Sequence, residues 1–184
     1  LSYWKTQLRD IEPLELPTIY PRPSAQSYKG NTIDFSFDEI LSIKLNKISQ
    51  ENNVTLFMTL LSSFSLLMHK YTGQDDITIG TPIANRNRSE IENLIGFFVN
   101  TLVLRQDFSK NLSFIELLQQ VKRTTLDAYE HQDVPFEKIV DALNIIRDPS
   151  RSPLFQVMFG LENNADTSLD LPNLSITPQA IENN

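Results

Sequence analysis

The sequence predicts an α/β domain: a layered sheet with packed helices. Three observations carry that reading. Apolar residues recur at helical spacing in the windows 38–52, 55–71 and 113–129. Short runs rich in β-branched and aromatic residues lie around and between them, at 32–37, 76–82, 97–105 and 154–161. Predicted helices and strands interleave along the chain without internal repeats or low-complexity tracts.

Residues 1–9 predict a short helix with Tyr3, Trp4 and Leu8 as its apolar contacts. Residues 10–31 predict an extended Pro-rich connector. Pro13, Pro17, Pro21 and Pro23 remove backbone donors and fix φ, which excludes helix there. Ile33, Phe35 and Phe37 alternate with polar residues and predict a half-buried strand. Asp38 is placed to cap the next helix, which aligns Leu41, Leu45 and Ile48, with Ile40 and Ile43 beside that stripe. The strongest helix, 55–71, puts Leu56, Leu60, Phe64 and Leu67 on one face, and Gly73 is placed to end it.

Residues 76–82 predict a strand. Residues 85–89 predict a polar loop, with Ser89 capping a brief helix through Leu94. The run 97–105 is nearly all apolar, the pattern of a strand buried on both faces. Ser113 and Glu116 make a capping-box pattern ahead of Ile115, Leu118, Val121, Leu126 and Tyr129. Pro135 predicts the first position of a short helix through Leu143. A polar stretch, 162–172, precedes a predicted final strand at 174–181.

A chain of 184 residues, 40% hydrophobic and 21% charged, suits one compact domain. Its net charge of −7 disfavours phosphate backbones and anionic membrane surfaces, so neither nucleic acid nor membrane is an expected partner. There is no Cys, which excludes disulfides and thiol nucleophiles and is compatible with a reducing cytoplasm. No signal peptide is visible, and no uncharged apolar run reaches the ~18 residues of a membrane span. Both ends look cut: Leu1 leads directly into a helical pattern, and the chain stops in a predicted strand.

Chemistry-bearing residues are few. His69 sits near a helix C-terminus, where a cation suits the dipole. His131, beside Gln132 and Asp133, reads either as a turn-bonding residue or as a general base, and the turn use is the commoner. Two distant His residues without paired carboxylates make no metal-ligand set. Arg86 and Arg88 form a basic island that reads as a solvated turn or as a contact for an anionic group such as a phosphate. Asn100 is the polar residue in an apolar strand. A buried amide left unpaired costs roughly 1–3 kcal/mol, so it bonds neighbouring backbone or faces a substrate cavity. Arg147, Asp148 and Arg151 surround two prolines and predict Arg–carboxylate forks that pin a rigid turn.

Three segments stand in fixed order: Ile95-Gly-Phe-Phe-Val-Asn-Thr-Leu-Val-Leu-Arg105, His131-Gln-Asp-Val-Pro-Phe-Glu137 and Arg147-Asp-Pro-Ser-Arg-Ser-Pro-Leu154. Upstream lie Tyr3-Trp4, Leu16-Pro17, Pro21-Arg-Pro23, Thr55-Leu-Phe-Met58, Tyr71-Thr-Gly-Gln-Asp-Asp76 and Gly80-Thr-Pro-Ile-Ala-Asn-Arg86. Together these resemble the C-terminal part of condensation domains in nonribosomal peptide synthetases, over about residues 3–160. The resemblance implies one of two chloramphenicol-acetyltransferase-like lobes that enclose a tunnel, so that residues 1–184 are a partial C-terminal lobe. Implied partners are the N-terminal lobe, donor and acceptor carrier proteins with phosphopantetheine arms, and an adenylation domain in the same chain. No cofactor is expected on the lobe itself.

Implied tunnel positions are Asn100, Thr101, Ala84 and Arg86, whereas His131, Gln132, Asp133, Arg147, Asp148 and Arg151 read as bracing. The family's catalytic His-His-x-x-x-Asp-Gly does not occur here, so no catalytic residue is assigned and the chain alone is expected to be inactive. The segment 131–137 has the form typical of ordinary condensation domains. Heterocyclisation or epimerisation variants, a stand-alone acyltransferase and a non-catalytic partner-docking platform remain as alternatives.

Overall fold

The computed structural model of the protein describes residues 1–27, 29–86, 89–92, 94–145 and 148–162, with only the backbone at 89 and 92. In order, the elements are α1 (Ser2–Gln7), α2 (Glu39–Glu51), α3 (Leu56–Thr72), β1 (Asp76–Ile83), α4 (Ser89–Glu92), β2 (Asn100–Asp107), α5 (Phe114–Glu130) and α6 (Phe136–Ala142). β1 and β2 pair antiparallel, from Asp76 opposite Asp107 to Ile83 opposite Asn100. Residues 157–159 run parallel along β1: Gly80 N donates to Val157 O (3.0 Å) and Phe159 N to Gly80 O (2.9 Å). This is the only trace of the strand predicted at 154–161 among the described residues. α3 and α5 pack against the strands and each other, α2 lies on α3, and α1 lies on α6. The core is built from Ile77, Ile79, Leu102, Leu104, Leu61 and Val121, all fully buried.

The caps follow the sequence. Asp38 accepts from Leu41 N (2.7 Å) at the start of α2. Thr55, expected as the first residue of the helix, stands just before α3 and caps it, and Gly73 ends the helix as expected at φ 71°, a conformation open to glycine. Ser113 and Glu116 form the expected reciprocal box at α5. Glu116 is held below the usual carboxylate range by its hydrogen bonds with Ser113. α6 starts at Phe136, so Pro135 stands just before the helix and not at its first position.

Other details differ from expectation. The buried side of α3 is Met58, Thr59, Leu61, Ser62, Ser65 and Met68, while Leu67 is exposed. Ser62 and Ser65 return their hydroxyls to the carbonyls of Met58 and Leu61, so small side chains can face the packed neighbours without unpaired groups. Of α2, only Ser49 is fully buried, and it bonds Thr59 Oγ1 at 2.7 Å. The apolar stripe that the periodicity follows is therefore not what seats α2. β2 begins at Asn100; Phe97 and Val99 are exposed, because pairing with β1 stops at Ile83. Residues 32–37 form no strand, having no ladder partner among the described residues. The predicted strand at 174–181 and the stretch beyond 162 lie outside the described residues.

Candidate functional site

Asn100 opens β2 and faces the turn between α5 and α6. Its Nδ2 donates to Gln132 O (2.8 Å) and Val134 O (3.0 Å), and its Oδ1 accepts from Phe136 N (3.1 Å). Both amide hydrogens are thus committed to backbone, which is why this polar residue interrupts an apolar strand. The same amide walls a cavity of about 280 Å³ together with Thr101, Asn85, Phe97, Asp133 and Glu137. Thr101 is half-buried at this cavity, whereas Ala84 is exposed and does not line it.

Arg86 serves the loop that follows β1. Its guanidinium donates to the carbonyl of Ile91 and to Gly96 O, and its Cζ lies 4.4 Å from the centroid of Phe98. Arg88 lies outside the described residues.

His131 is built into a clamp. Its Nδ1 lies 2.8 Å from Asp127 O, its ring stacks on Tyr3 at 4.1 Å, and its carbonyl accepts from Trp4 Nε1 at 3.0 Å. These contacts fit the turn-bonding use of His131. Burial, then the nearby Asp127 carboxylate, pushes the Tyr3 phenol up to about 12. Gln132 donates its side-chain amide to Tyr129 O (2.8 Å). The second end of α1 is fixed from β2: Arg105 pairs with Asp76 through two nitrogens (2.7 and 2.8 Å) and donates to Gln7 O and Arg9 O.

The 148–154 turn braces the connector. Hydrogen bonds from the Ser150 side chain and then from Ser150 N (2.8 Å) hold the Asp148 carboxyl below the usual range, and Arg151 pairs with Asp148 and with Glu15 (2.6 Å). Gln26 N donates to Pro149 O (3.0 Å). Arg147 lies outside the described residues. Gln74, given no role of its own within the 71–76 segment, grips the connector at Glu15 N and Pro13 O, and Gln156 grips it at Leu14 N. Nothing in their spacing marked them.

Gly80 also escaped notice as a packing residue. A Cβ there would meet three ring atoms of Phe155 at 2.6–2.8 Å. A glycine inside a strand pattern is the available signal for such an approach. Among the described residues no group of three or more His, Cys, Asp or Glu is placed to hold a metal.

A family model described as Condensation domain matches residues 1–183. The chain belongs to the condensation-domain family. Over 89% of its length it is 56% identical to a stretch of a linear gramicidin synthase protein of Brevibacillus parabrevis, covering 3% of that protein. Over 96% it is 50% identical to malpinin synthetase of Mortierella alpina, covering 2%. A holo four-domain nonribosomal peptide synthetase solved with AMP and glycine shares the fold with a TM-score of 0.84 at 30% identity, over 90% of this chain and 13% of that one. The X-domain in complex with OxyB from teicoplanin biosynthesis gives 0.86 at 27%, over 98% and 40%. The expected chloramphenicol-acetyltransferase-like fold, a small antiparallel sheet with packed helices, is that of these condensation-domain relatives. No helix among the described residues is long and apolar enough to cross a membrane.

Proposed function

We propose that this chain is part of the C-terminal lobe of a condensation domain that forms amide bonds between carrier-bound groups. The observation that carries this reading is the 56% identity to a peptide synthase over 89% of the chain, within a family match spanning residues 1–183. The partners are the N-terminal lobe of the same domain and donor and acceptor carrier proteins. Their phosphopantetheine arms deliver the reactants, and an adenylation domain in the same cytoplasmic polypeptide loads them. The acceptor amine attacks the donor thioester carbonyl; a C–N bond forms, the C–S bond breaks, and the released thiolate recovers a proton. The work of such a domain is mostly orientation of two tethered reactants, which lowers a barrier by up to about 7–11 kcal/mol in ideal cases.

In this reading the cavity beside Asn100 and Thr101 belongs to the tunnel wall. Asn100 acts there as a positioning residue, since its donors are spent on the α5–α6 turn. Arg86 shapes the same wall by holding the Phe98 loop. Asp148, Arg151 and His131 brace the lobe. The test is transfer between two loaded carrier proteins by the parent polypeptide and by residues 1–184 alone. A dipeptidyl product from the parent and none from the 184-residue chain is expected; product from the chain alone overturns the assignment of the catalytic group to another segment.

One observation favours a second reading. The relative with a TM-score of 0.86 is an X-domain solved in complex with OxyB, so in that protein this fold holds a partner. Loaded carriers that yield no amide with an intact parent, together with stable capture of a partner enzyme, would select a docking platform.

A further inference from the structure

Two cavities meet at the first turn of α6. The one beside Asn100 measures about 280 Å³, and Phe136 and Glu137 are among its walls. The other measures about 430 Å³ and lies between α6 and the 148–153 turn, where Phe136, Val140, Pro149 and Pro153 give it an apolar lining. Among the described residues, Phe136 and Glu137 are the two common to both cavities. Glu137 is exposed, whereas Phe136 is half-buried. A ring that served packing alone would be filled against on both sides; Phe136 instead borders open volume on both.

The ring is held from several sides. Phe136 N donates to Asn100 Oδ1 at 3.1 Å, which ties the start of α6 to the first residue of β2. The Phe136 ring packs on that of Phe155, with centroids 5.6 Å apart and planes tilted by 52°. Phe155 is itself buried and lies against Gly80, where a Cβ would meet its ring at 2.6 Å. Phe136 therefore cannot turn toward Phe155 without moving it, and Phe155 has no room toward β1. The far wall of the second cavity is set as firmly: Arg151 pairs with Asp148 and Glu15, and Pro149 O accepts from Gln26 N. Both cavities are preformed, which is the condition for selecting a substrate by size.

We propose that Phe136 determines the size of the carrier-bound aminoacyl side chain that this lobe accepts. Its ring partitions the cavity beside Asn100 from the apolar cavity behind it. A small side chain fits in front of the ring, in a cavity at the low end of the roughly 300–1,000 Å³ usual for ligand sites. A bulky aromatic side chain needs the apolar volume behind the ring, between Val140 and Pro149. The inference rests on the condensation reading, in which the cavity beside Asn100 belongs to the tunnel wall.

The test is amide formation by the parent polypeptide between two carriers loaded with alanyl groups, with tryptophanyl then replacing alanyl on each carrier in turn. The wild-type parent is expected to discriminate against tryptophanyl on one carrier. Phe136→Ala is expected to raise the tryptophanyl-to-alanyl rate ratio on that carrier by at least about 10-fold, the scale on which apolar pockets discriminate by size. Val140→Ala enlarges the second cavity alone and is expected to leave the ratio unchanged. If Phe136→Ala does not fold, Phe136→Leu decides, with a smaller rise in the same direction. Three results overturn the proposal while leaving amide formation in place: an unchanged ratio in a folded Phe136 variant, an equal rise in Val140→Ala, or a wild type that uses tryptophanyl as fast as alanyl on both carriers. No amide from any loaded pair overturns the functional reading and this inference with it.

Discussion

Replacing Asn100 by Asp changes one group and reverses the sign of two contacts. Oδ1 can still accept from Phe136 N, but the two N–H donations to Gln132 O and Val134 O become a carboxylate facing two carbonyl oxygens. Two net hydrogen bonds at about 1 kcal/mol each, plus the repulsion, give a loss of about 2–4 kcal/mol at neutral pH. For a domain of this size each kcal/mol moves Tm by roughly 2–4 °C, so a drop of about 5–15 °C is expected.

The loss has a characteristic pH dependence. The new carboxyl is better tolerated protonated, when it can donate one bond, so its folded pKa lies above its unfolded value. Its stabilising protonated form is complete below the unfolded pKa of ~3.9 and is lost as pH rises through the folded pKa. The Tm gap between Asn100→Asp and wild type should therefore be small near pH 4 and widen toward pH 7. Thermal melts followed by circular dichroism across that range measure it. A gap of the same size at every pH, or a wild-type Tm at pH 7, would refute the assignment of both amide hydrogens to the turn.

Three further outcomes follow from the contacts above. Gly80→Ala drives a methyl into the Phe155 ring and should cost about 1–3 kcal/mol by thermal melting, with part of the loss recovered in Gly80→Ala/Phe155→Leu. Arg105→Ala removes the Asp76 pair and the two carbonyl contacts on α1. The emission of Trp4, the only tryptophan and fully buried, should shift to the red; an unchanged spectrum would show that α1 is held without Arg105. The Tyr3 phenol ordinarily titrates near 10.0 and is pushed up to about 12, so its contribution to stability is present below pH 10 and lost as pH rises through 12. Tyr3→Phe should flatten that alkaline loss in a series of melts.

What the sequence revealed, and what it hid, divides along the range of the interactions. Asp38, Gly73 and the Ser113–Glu116 box are local devices, and each forms as its pattern predicts, while Thr55, read as the first helical residue, caps the helix instead. The strand ends are not local. Phe97 and Val99 read as strand, yet β2 starts at Asn100 because its partner β1 ends at Ile83. The burial of α3 on a Ser-containing face was hidden because periodicity follows apolar bulk, while back-bonded serines pack as small side chains. At the site, Asn100 stood out as a polar interruption, but its partners lie more than thirty residues away in the α5–α6 turn. A still greater distance separated the evidence for His131: only the fold brings Tyr3 and Trp4 against it. The connector-gripping roles of Gln74 and Gln156 were not legible, since their backbone targets are set by the path of the connector.

The most direct test of the central reading is the intact mass of the acceptor carrier domain after the parent polypeptide meets a donor carrier loaded with one aminoacyl group. The account predicts a gain equal to the donor acyl group, in an amide that survives thioester cleavage by hydroxylamine. An acceptor whose mass stays unchanged, with both carriers loaded and the parent folded, would contradict amide-bond formation and leave this fold as a docking platform.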